Sequence, residues 1–152
     1  FFPHNGDWLS SHYEVHSAEH LVSYTRHLIE SMRSGLFAFV AHPDVFGLSY
    51  LNWDKNTEAA AKDILGAAKE LDLPLEINGH GLVSRWVESD QGPRPAYPWL
   101  PFWELARDYG IQVVVNSDAH KPALVDEGLA EGFDLVRSLG LTLANMEHLE
   151  GG

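Results

Sequence analysis

The chain has 152 residues, 45% of them apolar and none of them cysteine, which predicts a single domain around one core and excludes disulfide bonds and thiolate metal sites. Its net charge of −12, with only ten scattered Lys and Arg residues, argues against a nucleic-acid partner. Because no apolar run is long enough to span a membrane and the start lacks the order of a signal peptide, we expect a soluble, cytoplasmic protein with no membrane partner.

Helical and extended patterns alternate along the chain. The first predicted helix is capped by Ser17 and ends at Gly35; the others run from residue 56 or 57 to 71, from 98 or 101 to 109, and from about 124 to 139. Four strands are predicted between and after them, at residues 36–41, 75–78, 111–115 and 141–144. These strands are apolar without alternation, which indicates an α/β fold whose parallel strands are covered on both faces by crossover helices.

Polar side chains occur at the ends of three predicted strands. Strand 36–41 runs into His42, strand 75–78 carries Glu76 and Asn78, and strand 111–115 runs into Asp118 and His120. Right-handed crossovers place the carboxyl ends of parallel strands on one side of the sheet, so these side chains should converge. Neutral imidazole and carboxylate groups are ligands that suit Zn, Mn or Fe, and the sequence therefore predicts a metal site at this edge.

The segments around these residues resemble the last three signatures of the polymerase and histidinol phosphatase (PHP) family. They are residues 36–44 (LFAFVAHPD), 75–78 (LEIN) and 116–122 (NSDAHKP), and their order and spacing are most similar to histidinol-phosphate phosphatases. The resemblance covers most of the chain and implies a distorted seven-unit (β/α) TIM-like barrel. Residues 1–152 would be a single partial PHP domain, its C-terminal portion, with the N-terminal strands and their ligand motifs outside this chain.

The family builds a site for up to three divalent metal ions (Zn, Mn or Fe). By resemblance, His42, Asp118 and His120 are metal ligands, and Asp118 and His120 are also catalytic. The implied activity is that of a histidine-biosynthesis hydrolase, in which metal-activated hydroxide converts a small phosphomonoester to an alcohol and inorganic phosphate. Simpler interpretations stay open, because Asp118 can cap a helix, His120 can face solvent and His42 can be a turn residue.

Two further residues, Arg85 and Lys121, match positions of basic residues that bind the substrate phosphate in the family. Asn78, at a strand end, is a third candidate as a polar contact with substrate. Arg can bind phosphate through two parallel hydrogen bonds, whereas Lys supplies a point charge. Equally, Arg85 and Lys121 can be solvated surface charges, and Asn78 with Glu76 can satisfy backbone groups at a strand end.

A second group of histidines needs a separate explanation. His12, His16 and His20 recur every four residues and would share one face of a single helix. A cap at Ser17 would break that face, and no carboxylate completes a His-Glu-x-x-His motif, so we do not assign a metal there.

Three functional classes remain. The leading one is a histidinol-phosphatase-like phosphoesterase, with possible self-association into a homo-oligomer. The alternatives are a polymerase-type PHP nuclease or proofreading domain, which the acidic composition disfavours, and a non-catalytic PHP remnant that acts as a binding module. Since the matched ligands are fewer than a family site needs, we expect the isolated chain to be an incompetent phosphatase.

Overall fold

The computed structural model describes residues 1–146, which form a mixed α/β fold. Within this part of the chain the elements are, in order, β1 (Phe2–His4), β2 (Asp7–Leu9), α1 (Ala18–Arg33), α2 (Lys55–Leu71), β3 (Leu75–Asn78), α3 (Gly79–Ser84), β4 (Trp86–Ser89), β5 (Gly92–Pro95), α4 (Leu100–Tyr109), β6 (Gln112–Asn116), α5 (Leu129–Leu139) and β7 (Thr142–Leu143). Short 3-10 turns lie at Val45–Leu48, before α2, and at Pro122–Leu124, before α5.

The central sheet consists of three parallel strands in the order β3, β6, β7. Leu75 lies opposite Val113 and Asn78 opposite Asn116, so β3 and β6 end level with each other. Every residue of β3 is buried, as expected for a strand covered on both faces. The predicted α/β class and parallel pairing are confirmed. In residues 1–146 the sheet is open, and the seven-unit barrel stays a prediction.

The predicted strand at residues 36–41 is wrong. Only Val40 pairs with β3, through a parallel bridge to Leu75, and Leu36 is 83% exposed. In parallel register the residues before Val40 would need partners before Leu75. Those positions end helix α2 and include Pro74, which has no backbone N–H to donate. Within residues 1–146, residues 36–39 therefore have no neighbouring strand with which to form backbone hydrogen bonds.

The helices begin and end mostly where the sequence predicts. Ser17 caps α1 by accepting a hydrogen bond from the His20 backbone N–H, and α4 and α5 end at glycines with positive φ, Gly110 and Gly140. The predicted helix from about residue 124 starts only at Leu129, because Gly128 has a φ of 71° and interrupts helical geometry. In the described part of the chain no helix is long and apolar enough to cross a membrane.

The core lies between the sheet and helices α1, α2 and α4, and α2 packs on both α1 and α4. Its largest fully buried side chains include Trp103, Phe2, Phe46 and Phe102. Aromatic residues 97, 99, 102 and 103 are all buried. They lie directly behind the segment that carries His42.

Candidate functional site

The candidate site is built on a buried carboxylate at the end of the central sheet. Glu76, on β3, is only 5% exposed. Its Oε2 accepts hydrogen bonds from the His42 backbone N–H (2.9 Å) and from Asn78 Nδ2 (3.2 Å), and its Oε1 accepts one from Asn116 Nδ2 (3.1 Å). One side chain thus connects the segment after Val40, β3 and β6.

Asn78 carries this network outward to Asp118. It is 1% exposed, and its Nδ2 donates to Asp118 Oδ2 at 3.2 Å as well as to Glu76. Its Oδ1 accepts from the Gly81 backbone N–H at 2.8 Å, as the N-cap of α3. Asn78, predicted to contact substrate, therefore has its amide group engaged within the protein. In this arrangement it orients Asp118.

Two of the predicted metal ligands have unusual backbone conformations. His42 has a φ of 27° and Asp118 a φ of 52°, in the left-handed region that residues with a side chain rarely adopt. The backbone of His42 and the carboxylate of Asp118 are joined through Glu76 and Asn78. Such strain persists only where the surrounding structure holds it, and it concentrates at functional sites.

His42 lies among aromatic rings. Its ring centroid is 5.5 Å from those of His12 and Tyr97, and the His12 and Tyr97 centroids are 6.5 Å apart. His42 Nδ1 is buried and has no hydrogen-bond partner, and the same is true of Nε of the nearby Arg85. Buried polar atoms without partners are rare and call for a ligand or an ordered water.

The charges of the site act on His12. Burial lowers the pKa of His12 below its usual 6.5, and His42 and Arg85 lower it further, while Asp118 opposes the shift. Burial likewise raises the pKa of Tyr97, with Arg85 opposing and Asp118 adding to the shift. These mutual effects place His12, Tyr97, Arg85 and Asp118 within electrostatic reach of one another. At neutral pH the His12 imidazole is uncharged and has a lone pair available.

A second buried carboxylate, Asp44, anchors the turn that follows His42. Asp44 is 1% exposed and accepts hydrogen bonds from the Trp99 backbone N–H (2.6 Å) and from Trp103 Nε1 (2.9 Å). Burial raises the pKa of Asp44 to about 6, while these two hydrogen bonds act in the opposite direction. The Tyr24 hydroxyl donates to the Pro43 carbonyl at 2.6 Å. The turn that carries His42 is therefore fixed to the aromatic core.

The rim of the site, formed by residues 117–128, is more open. The side chain of His120 is 71% exposed, with Nε2 4.0 Å from Asp118 Oδ2 and its ring 5.7 Å from that of His80. Lys121 is exposed. His80 Nδ1 lies 3.4 Å from Glu127 Oε2, which links α3 to the rim.

Two glycines let the rim approach α3. A Cβ at Gly79 would lie 2.7 Å from the Glu127 carbonyl oxygen, and one at Gly128 would lie 2.1 Å from the Gly79 carbonyl oxygen. Real Cβ atoms do not come this close to backbone. Glycine at both positions therefore holds Glu127 beside α3.

The donor atoms suit a divalent metal in kind but do not make a complete set. The unpartnered His42 Nδ1, the neutral His12 ring and the Asp118 carboxylate are typical ligands of Zn, Mn or Fe. Yet among residues 1–146 no three His, Asp or Glu side chains are placed so that they could hold one ion. The predicted convergence of side chains is observed for Glu76, Asn78 and Asp118. His42 joins them only through its backbone N–H, and His120 lies at the exposed rim, so the metal site itself stays a prediction.

His12 is a site residue that the sequence patterns do not reveal. It lies before the Ser17 cap, outside α1, so the predicted separation of His12 from His20 is confirmed. Its proximity to His42 depends on how the loop before α1 folds over the site, and its spacing to other residues carries no signal of this. The sequence places Glu76 in a predicted strand, but it does not predict the three hydrogen bonds that the carboxylate accepts.

Neither the protein-family models nor the curated proteins compared with this chain match it. The resemblance to the PHP family therefore rests on the three sequence segments named above.

Proposed function

We propose that this edge of the sheet is part of the active site of a PHP-type metal-dependent phosphoesterase, which hydrolyses a small phosphomonoester to an alcohol and inorganic phosphate. The observation that carries the proposal is the pair of strained residues, His42 and Asp118, linked through buried Glu76 and Asn78. Both were assigned as ligands from sequence motifs alone. Asn5 and Asp72 also have positive φ, at a hairpin turn and a helix C-cap, so the support comes from the hydrogen-bond network that joins His42 and Asp118 rather than from φ alone.

His42 and Asp118 are the residues that would hold a metal, with His120 at the rim. A divalent Zn, Mn or Fe ion, when bound, supplies hydroxide near neutral pH and neutralises phosphate charge. The chain's own contribution is to position these groups. Asn78 fixes the Asp118 carboxylate, and burial keeps the neighbouring His12 neutral.

Arg85 and Lys121 would bind the phosphate. The positive charge of Arg85 lowers the pKa of both His12 and Tyr97, so it acts electrostatically on the groups around His42. Its buried Nε has no hydrogen-bond partner. A guanidinium in this state can donate to phosphate oxygens, and such charged hydrogen bonds are the strong ones. Lys121, being exposed, would act as a more mobile point charge.

A metal titration tests the proposal. We expect the 152-residue chain to bind Mn²⁺ or Zn²⁺ weakly in calorimetry, because its ligand set is incomplete. Asp118→Ala and His42→Ala should remove this binding. His16→Ala, at an exposed histidine outside the cluster, is the matched control and should leave it unchanged. Absence of binding to the unmodified chain, or equal binding by all three variants, would contradict the assignment.

Activity provides a second arm. The isolated chain should hydrolyse histidinol phosphate no faster than buffer with the same metal, whereas Asp118→Ala should abolish turnover by the full-length protein. Rapid turnover by the 152 residues themselves, lost in Asp118→Ala, would show that they complete the site by another route.

A non-catalytic PHP remnant is the second candidate, favoured by the lack of three converging ligands among residues 1–146. The two candidates differ in the full-length protein. A remnant would bind phosphate or metal without turnover, whereas an enzyme would release inorganic phosphate from the phosphomonoester. A nuclease would instead degrade DNA, with binding that weakens as salt increases.

A further inference from the structure

We propose that Glu76 is a positioning residue that holds both His42 and Asp118 in their strained conformations. It is not one of the proposed metal or phosphate ligands. The consequence for catalysis rests on the proposed function, but the positioning role itself is a property of the fold.

The hydrogen bonds of Glu76 support this role. Oε2 receives the His42 backbone N–H directly, and it also receives Asn78 Nδ2, which in turn donates to Asp118. Each strained residue is therefore one or two hydrogen bonds from the same oxygen atom. No basic side chain in the described part of the chain forms an ion pair with Glu76, so its charge is balanced by N–H donors.

A carboxylate is the side chain that this position requires. An ionised carboxylate only accepts hydrogen bonds, and all three groups that point at Glu76 are donors: a backbone N–H and two side-chain amides. Neither of the two groups that donate to Oε2 can act as an acceptor instead. The His42 N–H is backbone, and Asn78 is held in its orientation because its Oδ1 accepts from Gly81.

The Asn116 side is different. Asn116 contacts Oε1 alone, and none of the hydrogen bonds described for its side chain leads to His42 or Asp118. In Glu76→Gln, the new NH2 group can face Asn116, whose amide can turn to accept it. The fold should tolerate this variant, with a weaker neutral acceptor in place of the charged one at His42 and Asn78.

Amide hydrogen exchange tests the positioning role without reference to activity. In Glu76→Gln the His42 backbone amide should exchange about tenfold faster than in the unmodified chain, because a hydrogen bond to a charged group becomes one to a neutral group. Asn116→Ala is the matched control. It removes one donor to the same carboxylate but leaves the His42 bond in place, and should change His42 exchange by less than about twofold.

Metal affinity tests the functional consequence of the role proposed for Glu76. Glu76→Gln should raise the Mn²⁺ dissociation constant about tenfold, the size of effect typical when a residue that orients a ligand is changed, and Asn116→Ala should not. Unchanged His42 exchange in Glu76→Gln would overturn the role of Glu76, even if metal binds. If the unmodified chain binds no metal but the exchange difference is present, the proposed function fails and Glu76 still positions His42.

Discussion

The two parts of the candidate site that carry proposed metal ligands differ in how firmly the fold holds them. His42 lies between two buried carboxylates, with Glu76 on its backbone N–H and Asp44 fixing the following turn to Trp99 and Trp103. His120 is at the rim, 71% exposed, in a segment whose only helical turn before α5 is three residues long. Exposed side chains keep rotamer freedom that buried ones have lost. The backbone of His42 is thus held by the fold, whereas the His120 side chain keeps its rotamer freedom.

The sharpest test of this difference compares unfolding free energies. Asn78→Ala should lower the free energy of unfolding by about 4 kcal/mol, because it removes bonds to two carboxylates and the cap of α3. His120→Ala should change it by less than about 0.5 kcal/mol, as for ordinary surface substitutions. Urea denaturation measures both. Similar values for the two variants would show that the site is not divided in this way.

The pH dependence of stability probes Asp44. Burial raises its pKa from an ordinary 3.8 to about 6 in the folded protein, so protonation favours folding. Its stabilising contribution is fully present below about pH 3.8 and is lost as the pH rises through about 6, a difference of about 3 kcal/mol. Between about pH 7.5 and 4, the unmodified chain should therefore gain stability relative to Asp44→Asn. Parallel pH curves for the two proteins would contradict this.

The Arg85→Ala variant tests whether the charge of Arg85 acts on the buried part of the site. In a protein that carries the complete proposed site, Arg85→Ala should weaken inhibition by inorganic phosphate and raise KM about 10- to 150-fold, which corresponds to a loss of about 1.5 to 3 kcal/mol. In the chain itself, loss of the positive charge should raise the pKa of His12 towards 6.5, which NMR titration of the imidazole would detect. An unaltered His12 titration together with unaltered phosphate inhibition would make Arg85 a surface residue.

The sequence predicted those parts of the fold that depend on local signals. Strands β3 and β6 follow from their apolar runs, and α1 follows from its cap at Ser17. The strand at residues 36–41 failed because pairing depends on what lies opposite, here the end of α2 and Pro74. The β1–β2 hairpin was missed although its turn, Asn5-Gly6 with both φ values positive, is a strong hairpin signal.

The sequence predicted which residues belong to the site better than it predicted how their side chains are arranged. The motifs singled out His42 and Asp118, and the level ends of β3 and β6 explain why Asn78 reaches Asp118. The positive φ values of His42 and Asp118 and the orientation of Asn78 arise from long-range hydrogen bonds, which no local pattern encodes. His12 reaches the cluster through tertiary folding of a loop, and for the same reason no spacing rule could have found it.

The contact between Gly79 and Gly128 sets limits for anyone who redesigns the rim. Each collision that a larger residue would cause is with main-chain atoms, so no second substitution in a neighbouring side chain could relieve it. A library that varies the rim should keep these two positions as glycine. Variation belongs at the exposed residues between His120 and Gly128, such as Val125 and Asp126, where new side chains extend into solvent and the backbone crossing is preserved.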